Sequence, residues 1–245
     1  MTVLILGATS PIARAIAREY AMRGNPIALA ARDVAEVARH ASDITIRYGV
    51  KARGYAFDAL EYDRHRETVA EAARDLGPIE VGVIAFGDLG DWQRSVTDPT
   101  AARAVLETNF VGAASTAEAL AQHMAPRRSG TIVGLSSVAG DRGRYSNYFY
   151  GSSKGAFSLY LQGLRARLYH EGVHVLTVKP GLIDTPMTWG LRRGRIPIAS
   201  PESLARAITR GVERRRDVIY HPWFWKWVMG LLRAVPESRW KRIKI

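Results

Sequence analysis

Short apolar, β-branched runs return along this chain at the spacing of a crossover, and that rhythm restricts the fold more than any other feature. The runs are Val3 to Leu6, Ile27 to Ala31, Ala52 to Phe57, Val81 to Phe86, Thr131 to Leu135, Val173 to Val178 and Val218 to Tyr220. Between them lie longer stretches of helical periodicity: Pro11 to Arg23, Val34 to Tyr48, Tyr62 to Leu76, Pro99 to Met124 and Asn147 to His170. Strands that alternate with helices are joined by crossovers, so they lie parallel, and helices cover both faces of the sheet.

Seven such runs predict an α/β chain, a doubly wound seven-stranded parallel sheet of the Rossmann type forming one domain over residues 1–245. At 245 residues and 47% apolar composition, one well-buried core is affordable and no second domain is required. The stretch 185–200, rich in Arg, Gly and Pro without periodicity, is read as a lid over a site.

In such a sheet the turn after strand one is where a dinucleotide is held. Here it is Gly7-Ala8-Thr9-Ser10-Pro11-Ile12-Ala13. Gly7 permits a tight turn, and Pro11 suits the first turn of a helix, where its missing N–H has no partner to lose. Free amides at that helix start suit a pyrophosphate, although an ordinary strand-to-helix turn would look the same. Strand two ends Ala31-Arg32-Asp33, where an acidic residue would accept from a 2′-hydroxyl. A guanidinium suits a 2′-phosphate, so Arg32 favours NADPH over NADH, unless Asp33 turns inward to the ribose instead. Asp58, just after strand three, is a candidate acceptor for an adenine amino group or a cap for the next helix.

Tyr150 and Lys154 stand four apart on one predicted helix and therefore share a face. A cation near a phenol favours phenolate, which lets the tyrosine donate and recover a proton near neutrality. Ser137 closes strand five upstream of them, and Asn109 lies inside the preceding long helix.

With these motifs, Gly7-Ala8-Thr9-Ser10, Asn109-Phe110-Val111-Gly112, Ser136-Ser137-Val138-Ala139-Gly140, Tyr150-Gly151-Ser152-Ser153-Lys154 and Pro180-Gly181-Leu182-Ile183-Asp184-Thr185-Pro186, the chain resembles the short-chain dehydrogenase/reductase superfamily along essentially its whole length. The resemblance implies a catalytic set of Asn109, Ser137, Tyr150 and Lys154. Tyr150 would be the general acid, Ser137 would polarise a carbonyl, Lys154 would also hold the nicotinamide ribose, and Asn109 would order a relay water. It further implies cofactor contacts from Gly7, Thr9, Ser10, Pro11, Ile12, Ala85, Gly87, Pro180, Gly181, Ile183 and Thr185, with Gly181 leaving room for the ring, and pairing into dimers or tetramers through the two long helices. The sequence departs from the family pattern at Pro11 and Ala13 in the glycine turn, and at Ile84-Ala85-Phe86-Gly87 where Asn-Asn-Ala-Gly is usual. Ala85 to Asp91, Gly140 to Arg144 and the ending from His221 are similar to reductases of decaprenylphosphoryl-2-keto-pentose, a keto sugar carried on a polyprenyl phosphate.

Composition narrows the remaining choices. There is no cysteine, which removes disulfides and thiol nucleophiles, and the six histidines show no ligand spacing, so no metal site is expected. The chain opens on an apolar strand without a basic leader, so a cytoplasmic location is expected. No run approaches the roughly 20 apolar residues of a membrane span. Of the net charge of +12, +10 lies between Trp189 and Ile245, together with five of the six tryptophans. Basicity confined to one end argues against a nucleic-acid groove spread over the fold. It suggests that the aromatic segment 222–245 meets a lipid headgroup region at the inner membrane face, or that Trp223 to Leu232 packs as a terminal helix on a neighbouring subunit.

The reaction expected is NADPH-dependent interconversion of a ketone and a secondary alcohol, on a small-molecule or lipid-linked keto-sugar substrate. A soluble 3-oxoacyl or general ketone reductase, and a dinucleotide-binding protein without catalysis, are the alternatives. Asp91, Trp92, Arg142, Arg144, Tyr145 and Trp189 are candidates for the substrate side.

Overall fold

The computed structural model describes residues 1–189 and 197–244. Its strands are β1 (Thr2–Leu6), β2 (Ile27–Ala31), β3 (Ala52–Ala56), β4 (Ile79–Ile84), β5 (Thr131–Leu135), β6 (His174–Pro180) and β7 (Val218–His221). They form one sheet in the order β3-β2-β1-β4-β5-β6-β7, parallel at every pairing. The helices are α1 (Pro11–Ala21), α2 (Val34–Tyr48), α3 (His65–Leu76), α4 (Trp92–Thr97), α5 (Pro99–Leu106), α6 (Ala113–Met124), α7 (Tyr148–Tyr169), α8 (Pro201–Glu213), α9 (Trp225–Ala234) and α10 (Glu237–Trp240).

Successive side chains of a strand point to opposite faces, and β1 shows how this builds two cores. Val3 and Ile5 pack with residues of α1, α2 and α8, whereas Leu4 and Leu6 pack with residues of α3, α6 and α7. All four are fully buried. A strand buried on both faces needs a continuous apolar run, which is why these segments were legible as strands. Strand order reverses between β1 and β4, so the loops leaving these two strands diverge and open a crevice at their carboxyl ends.

The structure alters several sequence-based expectations. The predicted helix from Pro99 to Met124 is three pieces, with a six-residue π-type turn at Glu107–Gly112 between α5 and α6. There Gly112 lets the wider turn approach Ala59; a Cβ at Gly112 would sit 2.3 Å from the Ala59 carbonyl oxygen. Helices α4 and α8 were not among the predicted ones. Each begins with a side-chain cap: Asp91 accepts from the amides of Gln93 and Arg94, and Ser200 accepts from that of Ser203.

The C-terminal segment folds back onto its own chain. Trp225 and Met229 of α9 pack with Val138, Leu182 and Tyr220, and the buried Trp240 donates from its indole to the Gly143 carbonyl at 2.7 Å. The other side of α9 faces outward, with Trp227 and Leu231 at 66% and 74% exposure, and Trp223 just before the helix is 73% exposed. Of the expected lid, 190–196 lies outside the described residues. Its base is a bridge between Ile183 and Ala199, with a short turn at Pro186–Thr188. Among the described residues no helix is long and apolar enough to cross a membrane.

Candidate active site

The site is assembled where β5 meets α7. After β5, Ser136 is buried and its hydroxyl donates to the Lys154 carbonyl at 2.9 Å. Ser137 lies beyond the strand end and caps a short turn, Val138–Gly140, by accepting from the Ala139 amide at 3.1 Å. Helix α7 presses against that turn because three glycines remove the obstructing side chains. A Cβ at Gly140 would meet the Gly155 nitrogen at 2.6 Å, and Cβ atoms at Gly151 and Gly155 would meet the Ala139 and Gly140 carbonyls at 2.9 Å. This close approach brings the Tyr150 phenol to the Ser137 hydroxyl.

Burial pushes the Tyr150 phenol above its ordinary value, while the Ser137 hydroxyl and the charge of Arg144 pull it back down. Lys154 lies near the same phenol, on the helix face it shares with Tyr150. The Lys154 ammonium is 6.0 Å from the Tyr150 ring centre and donates to the Leu135 carbonyl at 3.0 Å. It is buried, and that burial lowers it to about 8. Arg144, a candidate for the substrate side, is a second cation near the phenol, and its charge favours phenolate.

Asn109 sits in the π-type turn and is fully buried. Its side-chain oxygen accepts from the Asp88 amide at 2.8 Å, and its amide donates to the Asp88 carbonyl at 2.6 Å and to Ser153 Oγ at 3.1 Å. The asparagine thus pins the loop after β4 to α7. Gly87 fills the gap between them: a Cβ there would lie 3.0 Å from Lys154 Nζ and 3.1 Å from Asn109 Oδ1. Where the family pattern has asparagines after β4, this chain holds the loop from the opposite side, through Asn109.

At the crevice between β1 and β4 lie the glycine turn and the loop after β4. Gly7 has φ +84°, and a Cβ there would meet the Phe86 backbone nitrogen at 2.6 Å, so only glycine fits. Thr9, Ser10, Pro11 and Ile12 form the turn into α1, where the Ser10 hydroxyl is committed to capping by accepting from the Ala13 amide at 3.1 Å. Ala85 is partly buried and its amide donates to the Leu6 carbonyl. Asp33 does not turn toward a ribose; it caps α2 by accepting from the Glu36 amide at 2.8 Å. Arg32 is exposed beside it and makes no ion pair among the described residues. Asp58 accepts from the Leu60 amide at 2.9 Å, a tight turn ahead of the next helix and not its cap.

On the far side, Pro180 ends β6, Ile183 and Thr185 are buried, and the Gly181 amide donates to the His221 carbonyl at 2.8 Å. The space beside Gly181 is taken on one side by the chain itself, since a Cβ there would lie 1.9 Å from the Trp225 indole nitrogen. Trp225 was not singled out in the sequence; only its place in a tryptophan-rich end hinted at it. Of the substrate-side candidates, Asp91 is a helix cap, and Arg142 is held by Glu237 at 2.8 Å and by tail carbonyls. Trp92 and Tyr145 meet at 5.8 Å between ring centres, and the exposed Trp189 donates to Asp184 at 3.3 Å.

A parallel sheet with its glycine turn at the strand-order reversal, and a half-buried tyrosine and serine with a buried lysine beyond it, define a nicotinamide-dependent oxidoreductase. Residues 1–195 match the model of the short chain dehydrogenase family, and an oxidoreductase of Mycobacterium tuberculosis is 34% identical over 98% of this chain and 96% of its own. The chain belongs to the short-chain dehydrogenase family. In three dimensions it is similar to a short-chain dehydrogenase from Sphingobium yanoikuyae solved with NADPH, with a TM-score of 0.82, 23% identity and 97% of each chain covered. An actinorhodin polyketide ketoreductase solved with NADPH has a TM-score of 0.78 at 24% identity, covering 85% of this chain and 88% of its own.

Proposed function

We propose that this protein reduces a ketone to a secondary alcohol with NADPH, with Tyr150 as the proton donor. The observation that carries the reading is the convergence of the Ser137 hydroxyl and the Arg144 charge on the Tyr150 phenol, with Lys154 buried one turn along the same helix. The crevice fits a dinucleotide: Gly7 and Gly87 keep it clear of side chains, and the α1 amides face it. Bound NADPH supplies the hydride. Ser137 and Tyr150 then hold the carbonyl oxygen, and Tyr150 delivers a proton to it as negative charge develops. Lys154 holds the ribose and Asn109 keeps the β4 loop and α7 in register. The unpaired Arg32 favours NADPH over NADH, because a 2′-phosphate satisfies a guanidinium that a bare ribose would leave unpaired.

The substrate we favour is a keto sugar linked to a lipid, approached at the inner membrane face. Support comes from α9, whose outward face carries Trp227 and Leu231 beside the exposed Lys226 and Arg233, with the exposed Trp223 just ahead of it. The exposed Leu159 and Tyr169 of α7 suit pairing of two copies across that helix.

The test is NADPH oxidation by purified protein with and without a lipid-linked keto-sugar extract. Tyr150→Phe should lose turnover by about 10²–10⁴-fold with NADPH binding kept, and NADH should be the poorer donor. Full activity in the variant would remove Tyr150 from the chemistry. Turnover confined to carrier-bound 3-oxoacyl thioesters would replace the lipid-linked substrate with a soluble one.

A further inference from the structure

Arg144 is a cation without a counter-charge. Among the described residues its guanidinium makes no hydrogen bond or ion pair, and its Nε is fully buried without a partner. Burial draws the guanidinium below its ordinary range, and the Tyr150 phenol is the group that acts on it in return. Arg144 lines a cleft of about 460 Å³ with Asp141, Arg142, Tyr145, Tyr148 and Lys241. The carboxylates of this cleft are already spent. Asp141 binds the Lys179 ammonium and accepts from the Tyr220 hydroxyl at 2.8 Å, and Glu237 pairs with Arg142. Lys244 lies over the Tyr145 ring at 5.8 Å, so the cations at this mouth outnumber the free acids.

An unpaired cation held partly out of water costs free energy unless something meets it. None of the described residues does. A second orphan lies three residues on: Asn147 Oδ1, just before α7, is buried without a partner. Arg144 therefore sits between an open cleft and the Tyr150 phenol with no counter-charge among the described residues.

We infer that Arg144 is a substrate-binding residue that takes an oxyanion, a phosphate or carboxylate carried close to the carbonyl being reduced. The inference rests on the reductase reading given above and adds the substrate's charge to it. A guanidinium presents a planar pair of donors to such a group. Binding the anion there would fix the carbonyl against Tyr150 and Ser137.

The experiment uses two matched pairs of ketones: dihydroxyacetone phosphate against dihydroxyacetone, and 3-oxobutanoate against its ethyl ester. For each, kcat/KM with saturating NADPH is measured in the wild type, Arg144→Gln and Arg144→Lys, and binding to the NADP⁺-loaded protein is measured by calorimetry. The expected result is that Arg144→Gln loses at least 30-fold in kcat/KM and in affinity on the charged member of one pair. It should change less than threefold on the neutral member, and Arg144→Lys should keep part of the preference. The phosphate pair splitting more identifies phosphate; the other pair, carboxylate. An equal loss on charged and neutral probes, or no loss on either, overturns the inference. Calorimetry separates the two failures. Arg144-dependent binding of a charged probe without any NADPH oxidation counts against the reductase reading alone, whereas turnover of all probes indifferent to Arg144 counts against the anion site alone. Should Arg144→Gln not fold, the contrast between charged and neutral probes in Arg144→Lys decides on the same criteria.

Discussion

Tyr150 and Lys154 carry opposite electrostatic penalties, and both come from burial. The phenol is raised and the ammonium lowered, because water that would solvate either charged form is excluded. For Lys154 this has a consequence for stability. Its value falls from 10.5 to about 8 on folding, so the unfolded chain binds the proton more tightly. The cost of folding with a charged lysine is fully present below pH 8 and fades as pH rises toward 10.5. The shift is worth about 3 kcal/mol. Lys154→Met, with no cofactor bound, should therefore be more stable than the wild type at pH 7, and the two should converge as pH approaches 10.5. Denaturant melts across that range check it; a difference independent of pH would mean that the ammonium is not held out of water. Arg144 belongs beside this pair; the sequence marked it only as a substrate-side candidate, since it lies in the loop before α7 and comes near the phenol through tertiary placement.

At the scale of elements, glycines decide how closely helices and turns approach the site. Gly140, Gly151 and Gly155 let α7 lie on the Val138–Gly140 turn, and Gly181 lets α9 lie over the end of β6. The Gly181 contact is testable by coupling. Gly181→Ala puts a methyl group into the Trp225 indole and should cost about 1–3 kcal/mol. Trp225→Ala removes a buried ring and should cost about 3–5 kcal/mol. If the two residues contact only each other at this point, the double variant should be no less stable than Trp225→Ala alone. Additive losses in urea melts would show that Gly181 is needed for its backbone or for another neighbour. The strands β1 to β7 and helices α1, α2, α3 and α7 were legible to within a few residues, because each carries its own periodicity, with side-chain caps at α1 and α2. The π-type turn at Glu107–Gly112 was not, since a wider turn keeps helical composition and is set by the packing of Gly112 on Ala59.

Across the whole molecule, the basic, tryptophan-rich end has two different faces. Trp225, Met229 and Trp240 close the core of their own chain, whereas Trp223, Trp227 and Leu231 point outward. Deleting Trp223 to Ile245 would therefore uncover Val138 and Leu182 beside the site and test folding before it tested any membrane contact. Replacing Trp223, Trp227 and Leu231 together by Ser should leave the melting temperature within a few degrees while removing co-sedimentation with anionic liposomes. Binding by the wild type should weaken as salt is raised, because exposed Lys226 and Arg233 supply part of it. Unchanged co-sedimentation of the triple variant would reject α9 as the contact.

Sequence by itself determined the parallel sheet, the glycine turn, the Tyr150–Lys154 pairing and the presence of Ser137 and Asn109 near it. These follow from periodicity, turn chemistry and spacing along single elements, which are local properties of the chain. Tertiary structure alone decided that Arg144 comes near the phenol as well, which face of α9 is free and what occupies the space at Gly181. Those contacts join residues dozens of positions apart, and no local pattern records them. So the basic end, which the sequence marked only as a place for something anionic, is in the fold a wall of the active site with one exposed face. Arg144, which has no counter-charge among the described residues, lies near Tyr150 in the loop this wall supports.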